Sequence, residues 1–214
     1  MIDLRWRIAQ ALEIRWWKGY LKDKDKTEYL DWKRAYWTSF LKKIDIEAEA
    51  DERILDAGCG PAGIFLVLTE QEVVAVDPLL DKYKQNLPHF RPEEYPHVQF
   101  ITSPLETFAP QAPFDTVFCL NAINHVNDLN AAFDALVAAT RPGGKLIVSI
   151  DAHNYRLFQR IFQLIPGDVL HPHQYSLQEY QAMLTERGCS VDYTILYDEA
   201  FFFNYYVIVA TKAD

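Results

Sequence analysis

The 214-residue sequence predicts an α/β fold: a seven-stranded, mostly parallel sheet with one antiparallel strand, helices on both faces and an N-terminal helical lid. Three observations carry that prediction. From residue 53 onward, short apolar runs alternate with helical intervals, as a parallel sheet covered on both faces requires. The first run, Ile54-Leu55-Asp56-Ala57, passes straight into a glycine turn, Gly58-Cys59-Gly60-Pro61-Ala62-Gly63. The last two runs, Val191 to Leu196 and Asn204 to Ala210, are separated by a short connection, which suggests a hairpin that places one antiparallel strand in the sheet.

Residues 5–44 form a block rich in tryptophan and tyrosine, read as two helices with a polar break from Asp23 to Lys26. Trp32, Tyr36 and Phe40 recur at four-residue spacing and share one helical face. These rings either cover the side of the sheet or build a lid over a substrate cavity. Lys22, Lys24, Lys26, Lys33 and Arg34 adjoin acidic residues and read as a solvated face. The expected strands are 53–56, 73–77, 98–101, 115–120, 145–150, 191–197 and 203–211, with helices over 62–70, 128–140, 155–165 and 176–187. Asp128 is placed to cap the second of these helices, and Ser176 with Glu179 forms a capping box for the last. The stretch from Leu80 to Pro96, rich in Pro, Lys and Glu, predicts an irregular surface crossing. Two units result, a cap over 1–48 and a main domain over 49–214.

Composition narrows the function. With 30 acidic against 21 basic side chains the formal net charge is −9, which disfavours a general electrostatic grip on nucleic acid. No stretch approaches the roughly 18 uninterrupted apolar residues of a membrane span, so stable membrane insertion is not expected. The start, Met1-Ile2-Asp3-Leu4-Arg5, lacks the pattern of a signal peptide, and a cytoplasmic protein is the expectation. Cys59, Cys119 and Cys189 lack metal-ligand spacing and read as small buried fillers in a reducing compartment, and no metal site is expected.

The glycines satisfy G-x-G-x-x-G, and Asp77 closes the next strand, Val73-Val74-Ala75-Val76-Asp77. That pattern alone fits a nicotinamide or flavin dinucleotide almost as well as other adenosine cofactors. Asp56 discriminates between them. A pyrophosphate at the following helix N-terminus would be repelled by the neighbouring carboxylate, whereas an amino acid carrying a sulfonium would not. Asp77 suits either ligand, because two carboxylate oxygens can accept from both ribose hydroxyls.

Four segments occur in a telling order: Leu55-Asp56-Ala57-Gly58-Cys59-Gly60; Val74-Ala75-Val76-Asp77; Pro113-Phe114-Asp115-Thr116-Val117-Phe118 with Asn124-His125-Val126; and Arg141-Pro142-Gly143-Gly144-Lys145-Leu146. On these, residues 50–212 resemble the class I S-adenosylmethionine-dependent methyltransferases, and more closely their small-molecule branch, where the ubiquinone-biosynthesis methyltransferases sit. Pro61-Ala62 departs from the small polar pair more usual there, a change that a first helical turn tolerates.

The resemblance implies a Rossmann-like sheet and S-adenosyl-L-methionine as cofactor. Asp56, Gly58, Gly60 and Asp77 would meet its methionine and ribose portions, and Leu79, Ser103, Leu105 and Glu106 its adenine. Asn121 would orient either ligand. His125, His153, His171 and His173 are the candidates for removing an acceptor proton. Trp16, Trp17, Tyr20, Tyr36, Tyr155 and Tyr175 are candidate cavity residues, and their rings favour a small, apolar or aromatic acceptor. A homodimer through the aromatic block stays open. So do a noncatalytic module that senses the cofactor and a nicotinamide-dependent oxidoreductase.

Overall fold

The computed structural model describes residues 4–153, 175–199 and 203–214. Seven strands, β1 (Arg53–Ala57), β2 (Glu72–Val76), β3 (Val98–Ile101), β4 (Phe114–Cys119), β5 (Thr140–His153), β6 (Cys189–Glu199) and β7 (Phe203–Lys212), form one sheet. Their order is β3-β2-β1-β4-β5-β7-β6. The pairings β1–β2, β1–β4, β2–β3 and β4–β5 are parallel, and β7 runs antiparallel to both β5 and β6. The expected terminal hairpin is therefore present, and β7 is the reversed strand. Asp115 ties the strand beginnings together: it accepts the Arg53 amide at 2.8 Å and pairs with Arg141 at 2.5 Å, and these partners hold its carboxyl below the usual carboxylate range.

Strand alternation divides the buried side chains between two cores. Ile54, Val73, Ala75, Phe118 and Val209 face α1 (Leu4–Leu21), α2 (Lys26–Lys43) and α3 (Leu80–Asn86). Leu55, Val74, Val76, Val117, Leu146 and Ile208 face α4 (Leu129–Ala139) and α5 (Leu177–Thr185). Asp56 and Asp77 continue the first alternation, which points them to the side covered by α1 and α2. The N-terminal helices thus share a core with the sheet. Tyr29, Trp37 and Phe40 of α2 are buried in it, and His89 closes the α1–α2 turn with Nε2 3.0 Å from the Lys24 carbonyl.

Two expected elements differ. In place of a helix over 62–70 there is one 3-10 turn, Ile64–Leu66, because Gly63, packed on the Asp56 carboxylate, is extended at φ −75° and ψ −172°, and that carboxylate accepts the Phe65 amide at 3.1 Å. The Leu80–Pro96 stretch is not an irregular surface crossing. It begins with α3 and buries Leu80, Tyr83, Leu87 and Phe90, whose three- and four-residue spacing forms an apolar face within a polar composition.

The helix caps follow the sequence. Asp128 accepts the Ala131 amide at 3.1 Å, and Ser176 and Glu179 exchange the paired bonds of a capping box. Ser176→Ala is expected to destabilise the fold by about 1 kcal/mol, lowering the melting temperature by ~2–4 °C in thermal denaturation. An unchanged midpoint would mean that α5 is held by Tyr180 and Leu184 in the core alone.

Candidate cofactor and active site

The site grows from the carboxyl ends of β1, β2 and β4, where ligands of open parallel sheets bind. After β1 the chain turns through Gly58, at φ 73°, and its amide donates to the Val76 carbonyl at 2.7 Å. This turn closes β1 against β2. A Cβ on Gly58 would overlap the Ala122 Cβ, so glycine is required by space as well as by backbone conformation. Gly63 lies directly on the Asp56 carboxylate, where an added Cβ would collide with Oδ2. The outer side of Gly60 is open, with no atom within 4 Å of an added Cβ, and its amide donates to Asp77 Oδ2 at 3.0 Å.

The two carboxylates sit differently. Asp77, 7% exposed, grips both sides of the turn: Oδ2 takes the Gly60 amide, and Oδ1 takes the Leu79 amide at 2.8 Å. Each oxygen keeps a second lone pair. Asp56 is 2% exposed and lies beneath the glycine loop, where its reach is to the loop's own amides and its charge acts through them. Burial pushes both carboxyls up to about 7, and the nearby Glu13 carboxylate adds to the rise at Asp77.

The folded state binds these protons more tightly than the unfolded chain, so the stabilisation they give is complete below about pH 4 and is lost as pH rises through 7. Asp56→Asn is expected to flatten that part of the curve. Melting temperatures of the unliganded protein across this range check it, and an identical slope in the variant would remove Asp56 as the cause.

Three residues that the sequence did not mark complete the surroundings. Glu13 of α1 accepts from Tyr83 Oη at 2.8 Å and from Trp17 Nε1 at 3.4 Å, fastening α1 to α3 beside Asp77. Trp37 Nε1 donates to the Ala62 carbonyl at 3.0 Å, fastening α2 to the glycine loop. Lys33 corrects the expectation of a solvated face. It is half-buried, with Nζ 4.6 Å from the Trp37 ring centre and 5.1 Å from that of Tyr36. Burial lowers its pKa to about 8 against the raising influence of Asp56. Only the helical spacing of Glu13 to Trp17 and of Lys33 to Trp37 hinted at these contacts, and that spacing does not say which side of a helix meets the sheet.

The remaining candidates are distributed unevenly. Leu79 and Leu105 are buried, while Ser103 is half-buried with its hydroxyl bonded to the Pro104 carbonyl. Glu106 accepts the Asn127 and Asp128 amides at 2.7 and 3.2 Å, so one oxygen serves the entry to α4. Asn121, two residues beyond β4, is at φ 55°, an uncommon conformation for a residue with a side chain, held by a 2.7 Å bond from its amide to Ser149 Oγ. Asn124 bridges to the Asp151 carbonyl at 3.2 Å, and His125 is exposed.

Trp17 and Tyr36 pack against the core on the side of the sheet covered by α1 and α2, whereas Trp16 and Tyr20 lie on the outside of α1, stacked on each other. Tyr175 packs on Tyr180, on the opposite side of the sheet. Tyr155, His171, His173 and the side chain of His153 lie outside the described residues.

Comparison with known proteins matches residues 29–194 to the family described as Methyltransferase domain. The chain belongs to this methyltransferase-domain family. This family member is 30% identical over 147 residues to a ubiquinone biosynthesis O-methyltransferase of Idiomarina loihiensis, covering 65% of the chain and 56% of that relative. It is 23% identical over 149 residues to a trans-aconitate 2-methyltransferase of an Azoarcus species, covering 68% and 56%. The chain spans about half the length of the curated relatives it matches.

Among solved structures, the 1,6-didemethyltoxoflavin-N1-methyltransferase of Burkholderia thailandensis has a TM-score of 0.62 at 16% identity, with 100% of this chain and 92% of that one covered. The [4+2]-cyclase SpnF reaches the same TM-score at 12% identity, covering 84% and 80%. These likenesses show the fold, which carries more than one chemistry.

Proposed function

We propose that this methyltransferase-domain protein transfers a methyl group from S-adenosyl-L-methionine to a small, apolar or aromatic acceptor. The observation that carries this reading is Asp77, a carboxylate pre-set by the Gly60 and Leu79 amides with one lone pair free on each oxygen, positioned for a ribose diol. The open side of Gly60 leaves room for the ligand to approach the backbone. Asp56 supplies negative potential beneath the loop for the sulfonium, and the Lys33 ammonium supplies the opposite charge for the cofactor's carboxylate. Family membership and relatives named for methyl transfer support the reaction class.

The cofactor provides an electrophilic methyl group and a good leaving group, so the protein's tasks are to orient, exclude water and remove at most one proton. Leu79, Ser103, Leu105 and Glu106 flank the adenine, and Asn121 orients the reacting groups at the end of β4. Residues 1–48 act as the cap, with Trp17 and Tyr36 as its inward rings. His125 is the described candidate for taking a proton from an acceptor hydroxyl or amine.

Calorimetry of the purified protein with S-adenosyl-L-methionine, S-adenosylhomocysteine and a nicotinamide dinucleotide tests the reading, followed by transfer of a labelled methyl group to metabolites extracted from cells. Saturable uptake of the first two and label in a small organic product are expected. Nicotinamide binding without uptake of either sulfur cofactor would overturn the proposal. Cofactor uptake with no labelled product across a broad extract would favour a sensing module.

A further inference from the structure

Helix α1 is apolar on two sides. Ile14, Trp17 and Leu21 face the core, while Ile8, Leu12, Trp16 and Tyr20 recur at four-residue spacing along the outside, 47%, 43%, 56% and 36% exposed. Arg15 is exposed beside this stripe, while Arg7 and Lys18 are exposed on the helix's other flank, where Lys18 Nζ lies 3.4 Å from Asn86 Oδ1 of α3. Lys24 Nζ lies 4.6 Å from the Tyr20 ring centre, and that ring stacks on Trp16 at 4.8 Å with planes 7° apart. The only acidic residue of α1, Glu13, is turned inward and occupied by Tyr83 and Trp17. In the turn that follows, Asp25 is taken up by the Thr27 and Glu28 amides as the cap of α2.

Along the sequence the charges of this block look mixed, but on α1 the fold turns the single carboxylate, Glu13, inward. The charged side chains that α1 leaves exposed are basic, with Asp23 exposed in the turn beyond Tyr20, on a chain whose formal net charge is −9.

We propose that the outer face of α1 docks the protein reversibly onto an anionic phospholipid surface, with the helix lying in the plane of the interface. Indole and phenol rings favour the headgroup level, the aliphatic side chains reach the acyl boundary, and lysine and arginine meet the phosphates. A second copy of this chain is a poorer partner for the same face, since a two-fold contact would set its basic residues against one another. None of the described helices is long and apolar enough to cross a membrane, so the contact is peripheral. The inference does not depend on the methyl acceptor.

Flotation of the full chain with vesicles of phosphatidylcholine alone, or of phosphatidylcholine mixed with phosphatidylglycerol, tests it. Binding to the anionic vesicles is expected to exceed binding to the neutral ones about tenfold or more and to fall as salt is raised. Replacing Ile8 and Leu12 together by Ser should lower the anionic partition about tenfold or more, and Arg15→Glu about fivefold or more. Circular dichroism and thermal denaturation report whether each variant is folded. The wild-type comparison of lipid compositions stands independently of the variants. No flotation, equal flotation on both vesicle types, or folded variants that float like the wild type would each overturn the proposal. Self-association abolished by Leu12→Ser, without vesicle binding, would also overturn it and assign the stripe to a second copy.

Discussion

Asp77→Ala is expected to weaken binding of S-adenosyl-L-methionine and S-adenosylhomocysteine by roughly 100-fold or more, measured by calorimetry on folded protein. Two effects combine. The ribose diol loses charge-assisted hydrogen bonds worth about 1.5–3 kcal/mol each, and the turn loses the acceptor that holds the Gly60 and Leu79 amides together. Asp77→Asn keeps the shape and one acceptor oxygen, so its affinity should fall between those of Ala and the wild type. Because the carboxyl is raised to about 7, binding to the wild-type protein should also weaken as pH drops below 7, since the ligand selects the ionised form. A folded Asp77→Ala protein with wild-type affinity would reduce Asp77 to a cap for the turn.

Gly58→Ala is expected to destabilise the unliganded protein by about 2–5 kcal/mol, lowering the melting temperature by ~5–15 °C, and to abolish measurable cofactor uptake. A left-handed backbone costs a residue with a Cβ about 1–2 kcal/mol, and overlap with the Ala122 Cβ adds about 1–3 kcal/mol. Pairing it with Ala122→Gly separates the two terms. The double variant should recover the steric part of the loss and retain the conformational part, which only glycine at 58 avoids. If Ala122→Gly restores nothing, the approach of the β4 end to the glycine turn is not what excludes a side chain there.

The hairpin, the alternation of strands and helices and the two caps were legible because each depends on near neighbours: residues one or two apart in a strand, three or four apart in a helix, or facing across a short turn. Asp56 and Asp77 were legible as a pair for the same reason, each sitting where an apolar run meets a turn. What distinguishes them was not. Asp77 stands at the open turn and Asp56 beneath it, because the chain after Gly63 folds back over Asp56 and gives it the Phe65 amide. The helix expected over 62–70 failed for the same long-range reason. Leu80 to Phe90 was misread because its polar composition concealed four buried side chains at helical spacing.

The sequence by itself determined the sheet, the glycine turn and the two carboxylates at the strand ends, since periodicity and backbone stereochemistry act locally. Only the tertiary structure decided that Glu13 turns inward to Tyr83, that Lys33 is enclosed by rings, and that the charges α1 leaves exposed are basic. An aromatic-rich helix with apolar residues all round can dock by more than one face. The choice is made by the shape of the core it covers, through residues such as Tyr83 and Ala62 that lie far away in the chain.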